Sequence, residues 1–148
     1  MAFSRTQSRE VAFKMIFSLG FDNDVKIPLP SGTPFVEGGI LQVACEDGEQ
    51  PKGPEYDFVM KLYGAVRENL VSIDDSITKN TTGFTIDRIF KTDLAAIRMA
   101  IAEVRFMDAP APVAANAAIN IAKKYGTEKS GAFVNGALDK ILNTEGKK

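Results

Sequence analysis

The residues from 113 to 141 leave little freedom in local structure. Val113, Ala117, Ile121 and Tyr125 recur every four positions, and so do Ala114, Ala118 and Ala122. That spacing is one turn of α-helix and not the two-residue alternation of a strand. Asn116, Asn120 and Lys124 fall together on a polar face. Pro110 and Pro112 stand at the front, where proline fits a first helical turn. Gly126 predicts a left-handed cap, and Thr127 the N-cap of a second helix with Val134, Ala137, Leu138 and Ile141 facing inward. Gly136 falls inside that second helix, where glycine costs about 1 kcal/mol against alanine. Close backbone packing would explain it.

The same period runs through most of the chain. Ser4 to Phe21 reads as an amphipathic helix with Val11, Ala12, Met15, Ile16 and Leu19 on one face, and Ser4 as its cap. A helix begins near Tyr56 with Val59, Leu62, Tyr63, Val66 and Leu70 on one stripe. Ser72 to Lys79 predicts a shorter helix, and Ile86 to Phe90 a turn or two. Asp93 to Met107 predicts a central helix capped by Thr92, with Leu94, Ile97, Ile101 and Val104 as its stripe and alanines widening it. The fold class is therefore all-α, with about seven helices. Residues 27–54 break the pattern with alternating prolines and glycines. A short hairpin at Phe35–Glu37 and Ile40–Ala44 is the only strand candidate there. The division expected is an N-terminal helical subdomain (1–80) carrying this insertion and a C-terminal one (81–148).

Composition narrows the chemistry. The chain has 148 residues, enough for one compact unit, and no histidine, which removes imidazole catalysis and His-ligated metal. Cys45 is alone, so no internal disulfide forms and a reducing cytoplasm is expected. No signal-peptide pattern or membrane-length apolar run appears. There is no nucleophile elbow or phosphate loop, and the carboxylates at Asp74-Asp75 and Asp22/Asp24 sit where helix ends favour them. The reading is a non-enzyme without metal or cofactor. The formal charge of −1 hides an asymmetry. Residues 27–57 hold six carboxylates against Lys52, while residues 113–148 hold six lysines against three carboxylates. An acidic total thus does not exclude nucleic acid, since the local field decides.

The order of residue types at the C-terminal end resembles the signature of the NusB family of transcription antitermination factors, small all-helical RNA-binding proteins. The family core A-I-N-E-A-x-x-L-A-K-x-[FY]-G-x-E-x-S-x-x-F-V-N-G-x-L-D-K is met at Asn116, Ala122, Lys123, Tyr125, Gly126, Glu128, Ser130, Phe133, Val134, Asn135, Gly136, Leu138, Asp139 and Lys140. At the N-terminal end, Arg9-Glu10, Ala12 and the apolar run through Phe17 are similar to the family's arginine-rich first helix. Thr6, Gln7 and Ser8 stand where many relatives have further arginines. The resemblance implies two small helical bundles packed across each other. It also implies single-stranded boxA-type RNA as target, NusE (a small-subunit ribosomal protein) as partner, and the transcription elongation complex as setting. Outside that reading stand an all-helical protein–protein adaptor or homodimer that has lost RNA binding, and the detached RNA-binding domain of an rRNA cytosine methyltransferase.

Candidate site residues follow. Arg5 and Arg9 share a helix side and form a candidate phosphate clamp, because guanidinium binds phosphate through paired hydrogen bonds. Phe133 is a candidate surface for stacking an unpaired base. The turn from Thr127 to Gly131, with Ser130, is expected to offer free backbone N–H groups at a helix start, and Lys129 adds positive charge there. Arg98 and Glu103 match the family pattern L-R-x-A-x-x-E, which implies a face toward NusE. Glu103 also lies half a turn from Leu94 on an ideal wheel, so an exposed carboxylate is expected. Either Arg98 or Arg105 could instead pair with an acid. The acidic insertion could compete with RNA for these cations.

Overall fold

The computed structural model describes residues 4–18, 51–81 and 86–145. Among them are six α-helices, one 3-10 turn and no strand. The helices are α1 (Arg5–Ser18), α2 (Pro54–Glu68), α3 (Leu70–Asn80), α4 (Lys91–Phe106), α5 (Ala111–Tyr125) and α6 (Ser130–Glu145), and the 3-10 turn is Ile86–Arg88. The all-α expectation holds, with one α-helix fewer than expected because the short piece near Ile86 closes as 3-10. The expected hairpin, Cys45 and the Leu19–Phe21 end of the first helix lie outside the described residues.

Local chemistry sets most helix starts. Ser4 Oγ accepts from the Gln7 N–H at 3.1 Å, and Gln7 Oε1 accepts from the Ser4 N–H at 2.8 Å. This reciprocal pair satisfies two backbone donors at the start of α1. Gly53, at φ +60°, turns the chain into Pro54, the first residue of α2. The Thr92 cap is corrected: α4 begins at Lys91, because the Phe90 carbonyl already accepts the first helical bond from Leu94 at 2.9 Å. At the other end Asp108, at φ 56°, turns the chain so that the Met107 and Ala109 N–H groups both reach the Glu103 carbonyl at 3.2 Å. Aspartate is among the few residues that visit this region readily.

Helix α4 is the centre. It is buried without a break from Asp93 to Glu103, and packs on α1, α2, α3, α5 and α6. Four alanines, Ala95, Ala96, Ala100 and Ala102, let neighbours close in from several sides. The core is one continuous cluster with members from both sides of residue 80, from Val11 and Leu62 to Ile121 and Leu138. In α5 the alanine row (Ala114, Ala118, Ala122) faces this core, while Val113 remains 45% exposed.

Two glycine readings are corrected. Gly126 has φ −97° and ψ −152°, an extended and not a left-handed conformation. Its lack of a side chain matters for space: a Cβ would stand 2.7 Å from the Ala122 carbonyl oxygen and collide with the Ser130 side chain. Gly136 is exposed, and a Cβ there would meet nothing within 4 Å. Close packing therefore does not account for it. Among the described residues no helix is long and apolar enough to cross a membrane.

Candidate nucleic-acid interface

The shared side of Arg5 and Arg9 does not face open solvent with two vacant guanidinium groups. Arg5 Nε and Nη2 donate to Glu55 Oε1 and Oε2 at 3.0 and 3.1 Å, and its Cζ stands 4.0 Å from the Phe58 ring centroid. Ser8, fully buried, donates to the same Glu55 Oε1 at 2.7 Å. The Glu55 hydrogen bond raises the Arg5 pKa above its ordinary value, and the bonds from Arg5 and Ser8 hold the Glu55 carboxyl below its own. Arg5 keeps a side-chain exposure of 47%.

Arg9 is largely covered. Its Nε donates to Glu103 Oε1 and Oε2 at 3.0 and 3.1 Å, and its Nη2 to Oε2 at 2.6 Å. The side chains are 14% and 2% exposed. The expectation of an exposed Glu103 is thus corrected: α1 packs on that side of α4 and its arginine covers the carboxylate. Arg98 is also buried, in a two-pronged pair with Asp74 at 2.8 Å for each bond. Here the alternative of an arginine paired with an acid is what the geometry gives. Arg105 reaches Ser76 and Ser72 of α3.

A third polar link joins α1 to the end of α5. Glu10 accepts from Lys124 Nζ at 2.8 and 3.0 Å and from the Tyr125 hydroxyl. Burial alone would raise the Glu10 carboxyl, but these bonds and the charges of Lys124 and Lys14 outweigh it and hold the group low. The Tyr125 ring stacks on Phe13 at 5.3 Å. Beside this link a groove of about 830 Å³ separates α1 from α5. Pro112, Val113, Ala117 and Ile121 give it an apolar floor, and Thr6, Asn116 and Asn120 a polar edge.

The turn into α6 is self-satisfied. The Thr127 N–H donates to Ser130 Oγ at 2.8 Å, the Lys129 N–H to Thr127 Oγ1 at 3.2 Å, and the Ser130 N–H to the Thr127 carbonyl at 3.0 Å. The expectation of free backbone donors is corrected for these three. Ser130 is 1% exposed, and its hydroxyl also bonds the Asp93 carboxylate of α4. Lys129 is exposed at the mouth of the turn, and Phe133 is half-buried against the core with part of its surface outside. Sequence reasoning singled out Arg5, Arg9, Lys129 and Phe133 as candidates, and did not single out Glu55, Phe58, Glu10 and Lys124, which the structure brings into the contacts of α1. The partners of α1 lie 50, 94 and 114 positions away, a separation that no local spacing encodes.

The described residues form an all-α core of six helices, with two arginines on the first helix and Lys129 exposed beside the half-buried Phe133; this is the class of small all-helical proteins. Residues 6–143 match the model of the NusB family. The transcription antitermination protein NusB of Natranaerobius thermophilus is 31% identical over 141 residues, covering 95% of each chain. The solved NusB of T. maritima superposes with a TM-score of 0.79 at 30% identity, over 97% of this chain and 93% of that one. A crystal structure of the antitermination factors NusB and NusE in complex with dsRNA matches with a TM-score of 0.75 at 25% identity, over 95% of this chain and 96% of its counterpart. The chain belongs to the NusB family.

Proposed function

We propose that this chain is a non-enzymatic RNA-binding factor in transcription antitermination of ribosomal RNA operons. It binds boxA-type single-stranded RNA together with NusE, within the transcription elongation complex and in the cytoplasm. The observation that carries the reading is the likeness, over 95% of this chain, to a chain of the solved structure of NusB and NusE in complex with dsRNA. The surface chemistry supports it. Lys129 is exposed for a phosphate, and the outer surface of Phe133 suits an unpaired base. Stacking on such a ring favours single strands, whose bases can be splayed out. Ser130 acts beneath this edge by fixing the turn that carries Lys129. Arg98 and Glu103 act behind the NusE-facing surface, by holding α3 and α1 on α4, since both are buried.

A second reading has an observation in its favour. Both arginines of α1 are already paired with carboxylates, which weakens a purely electrostatic attraction for RNA. On that reading the chain is a protein–protein adaptor or homodimer without RNA. Fluorescence anisotropy with a labelled single-stranded boxA-type RNA, with and without NusE, separates the two. Saturable binding that tightens with NusE is expected. NusE binding with no RNA binding in either titration selects the adaptor.

A further inference from the structure

Arg5 has an unusual setting for a phosphate ligand. A phosphate clamp uses a guanidinium edge with two parallel donors, and the side-on one, Nε–Nη2, also carries the most rigid nitrogen. In Arg5 the Nε–Nη2 edge is already filled by Glu55 at 3.0 and 3.1 Å. Glu55 is itself fixed by the buried Ser8 hydroxyl, so the carboxylate is held in place from below. The guanidinium lies against the Phe58 ring at 4.0 Å, and Phe58 is buried beneath it. Nearly half of the Arg5 side chain remains exposed. Glu55 takes two of the five guanidinium N–H donors and Phe58 covers one face, so the group keeps its opposite face, a flat delocalised surface of fixed orientation, and its Nη1 end, with much of its charge answered by Glu55. Guanidinium planes stack on nucleobases, and a fixed plane loses little freedom when a base settles on it.

We propose that Arg5 is a stacking platform for one unpaired base of the RNA, completing a Phe58–Arg5–base column, and not a phosphate ligand. This rests on the RNA-binding reading above. It assigns α1 a part in selecting single strands, separate from the electrostatic attraction exerted by Lys129.

The test compares the wild-type chain with Arg5→Lys and Arg5→Ala, each with NusE present. The probes are a single-stranded boxA-type RNA and a set of copies carrying one abasic position each, titrated over a series of salt concentrations. Lysine keeps the charge and loses the plane. Arg5→Lys is expected to weaken binding of the intact RNA about tenfold, nearly as much as Arg5→Ala. One abasic copy should lose about tenfold on the wild type and almost nothing on Arg5→Lys, which locates the stacked base. The slope of log affinity against log salt should stay the same in both variants. Wild-type affinity for Arg5→Lys, or a slope smaller by about one for Arg5→Ala with every abasic penalty kept, overturns the proposal and makes Arg5 a phosphate ligand. A loss that is equal for every RNA, with the abasic penalties unchanged, also overturns it. In all of these the RNA reading stands. If the wild type binds no RNA with or without NusE, both fall together.

Discussion

Asp93 shows how a single position can satisfy one rule and break another. It occupies the first turn of α4, where a helix favours negative charge. It is also buried, and its Oδ1 has no hydrogen-bond partner. Burial pushes its carboxyl above the usual range, and the bond from Ser130 only partly offsets this. A carboxyl whose folded pKa is raised favours the native state while protonated. That contribution is fully present below the unfolded value, about 3.9, and is lost as pH rises through the folded value. At neutral pH the native state therefore holds a charge it would release. Asp93→Asn is expected to raise the Tm at pH 7, with the gain shrinking as pH falls to about 4 and below. Thermal unfolding across that range checks it, and a gain that grows toward acid pH would contradict it. The sequence placed Asp93 correctly in the helix start but gave no sign of its burial, because that depends on α6 arriving with Ser130.

At the level of elements, the periodicity of α1, α2, α4, α5 and α6 was legible because it is a local property. The buried residues Val11, Met15, Leu62, Ile97, Ala118 and Leu138 all fall where the spacing put them. The reasons for individual glycines were not legible, since they depend on which other atoms arrive. Gly126 needs space and not a left-handed backbone, because Ala122 and Ser130 converge on it. Gly136 faces open solvent at a helix interior. The two glycines should therefore respond in opposite directions. Gly126→Ala is expected to cost about 1–3 kcal/mol, the range of overpacking against a backbone atom that cannot move freely. Gly136→Ala is expected to gain about 0.5–1 kcal/mol, since alanine restricts the unfolded chain and fits a helix. Urea unfolding of both variants checks the pair. A loss at Gly136→Ala would mean that the site is crowded after all.

At the scale of the molecule, the charged contacts that join α1 to other described helices include three: to Glu55 of α2, Glu103 of α4 and Lys124 of α5. The sequence displayed the arginines of this helix and their shared side, and from these a phosphate clamp was a fair expectation. Their carboxylates are contributed by distant segments, so the clamp could not be distinguished from a set of internal ties. Of the three, the Arg9–Glu103 pair is the most enclosed. An enclosed ion pair is costly to break from one side, because the remaining charge is left without water or partner. Glu103→Gln leaves Arg9 in that position and is expected to cost about 3 kcal/mol, the lower end of the range for such pairs because Arg9 retains some contact with solvent. Replacing both residues by leucine removes the pair and its desolvation cost together, and should lose much less than the sum of the single Arg9→Leu and Glu103→Leu variants. Urea unfolding of the singles and the double closes the cycle. If Glu103→Gln costs less than about 1 kcal/mol, the pair behaves as an exposed one, and α1 is held to α4 by its apolar face alone.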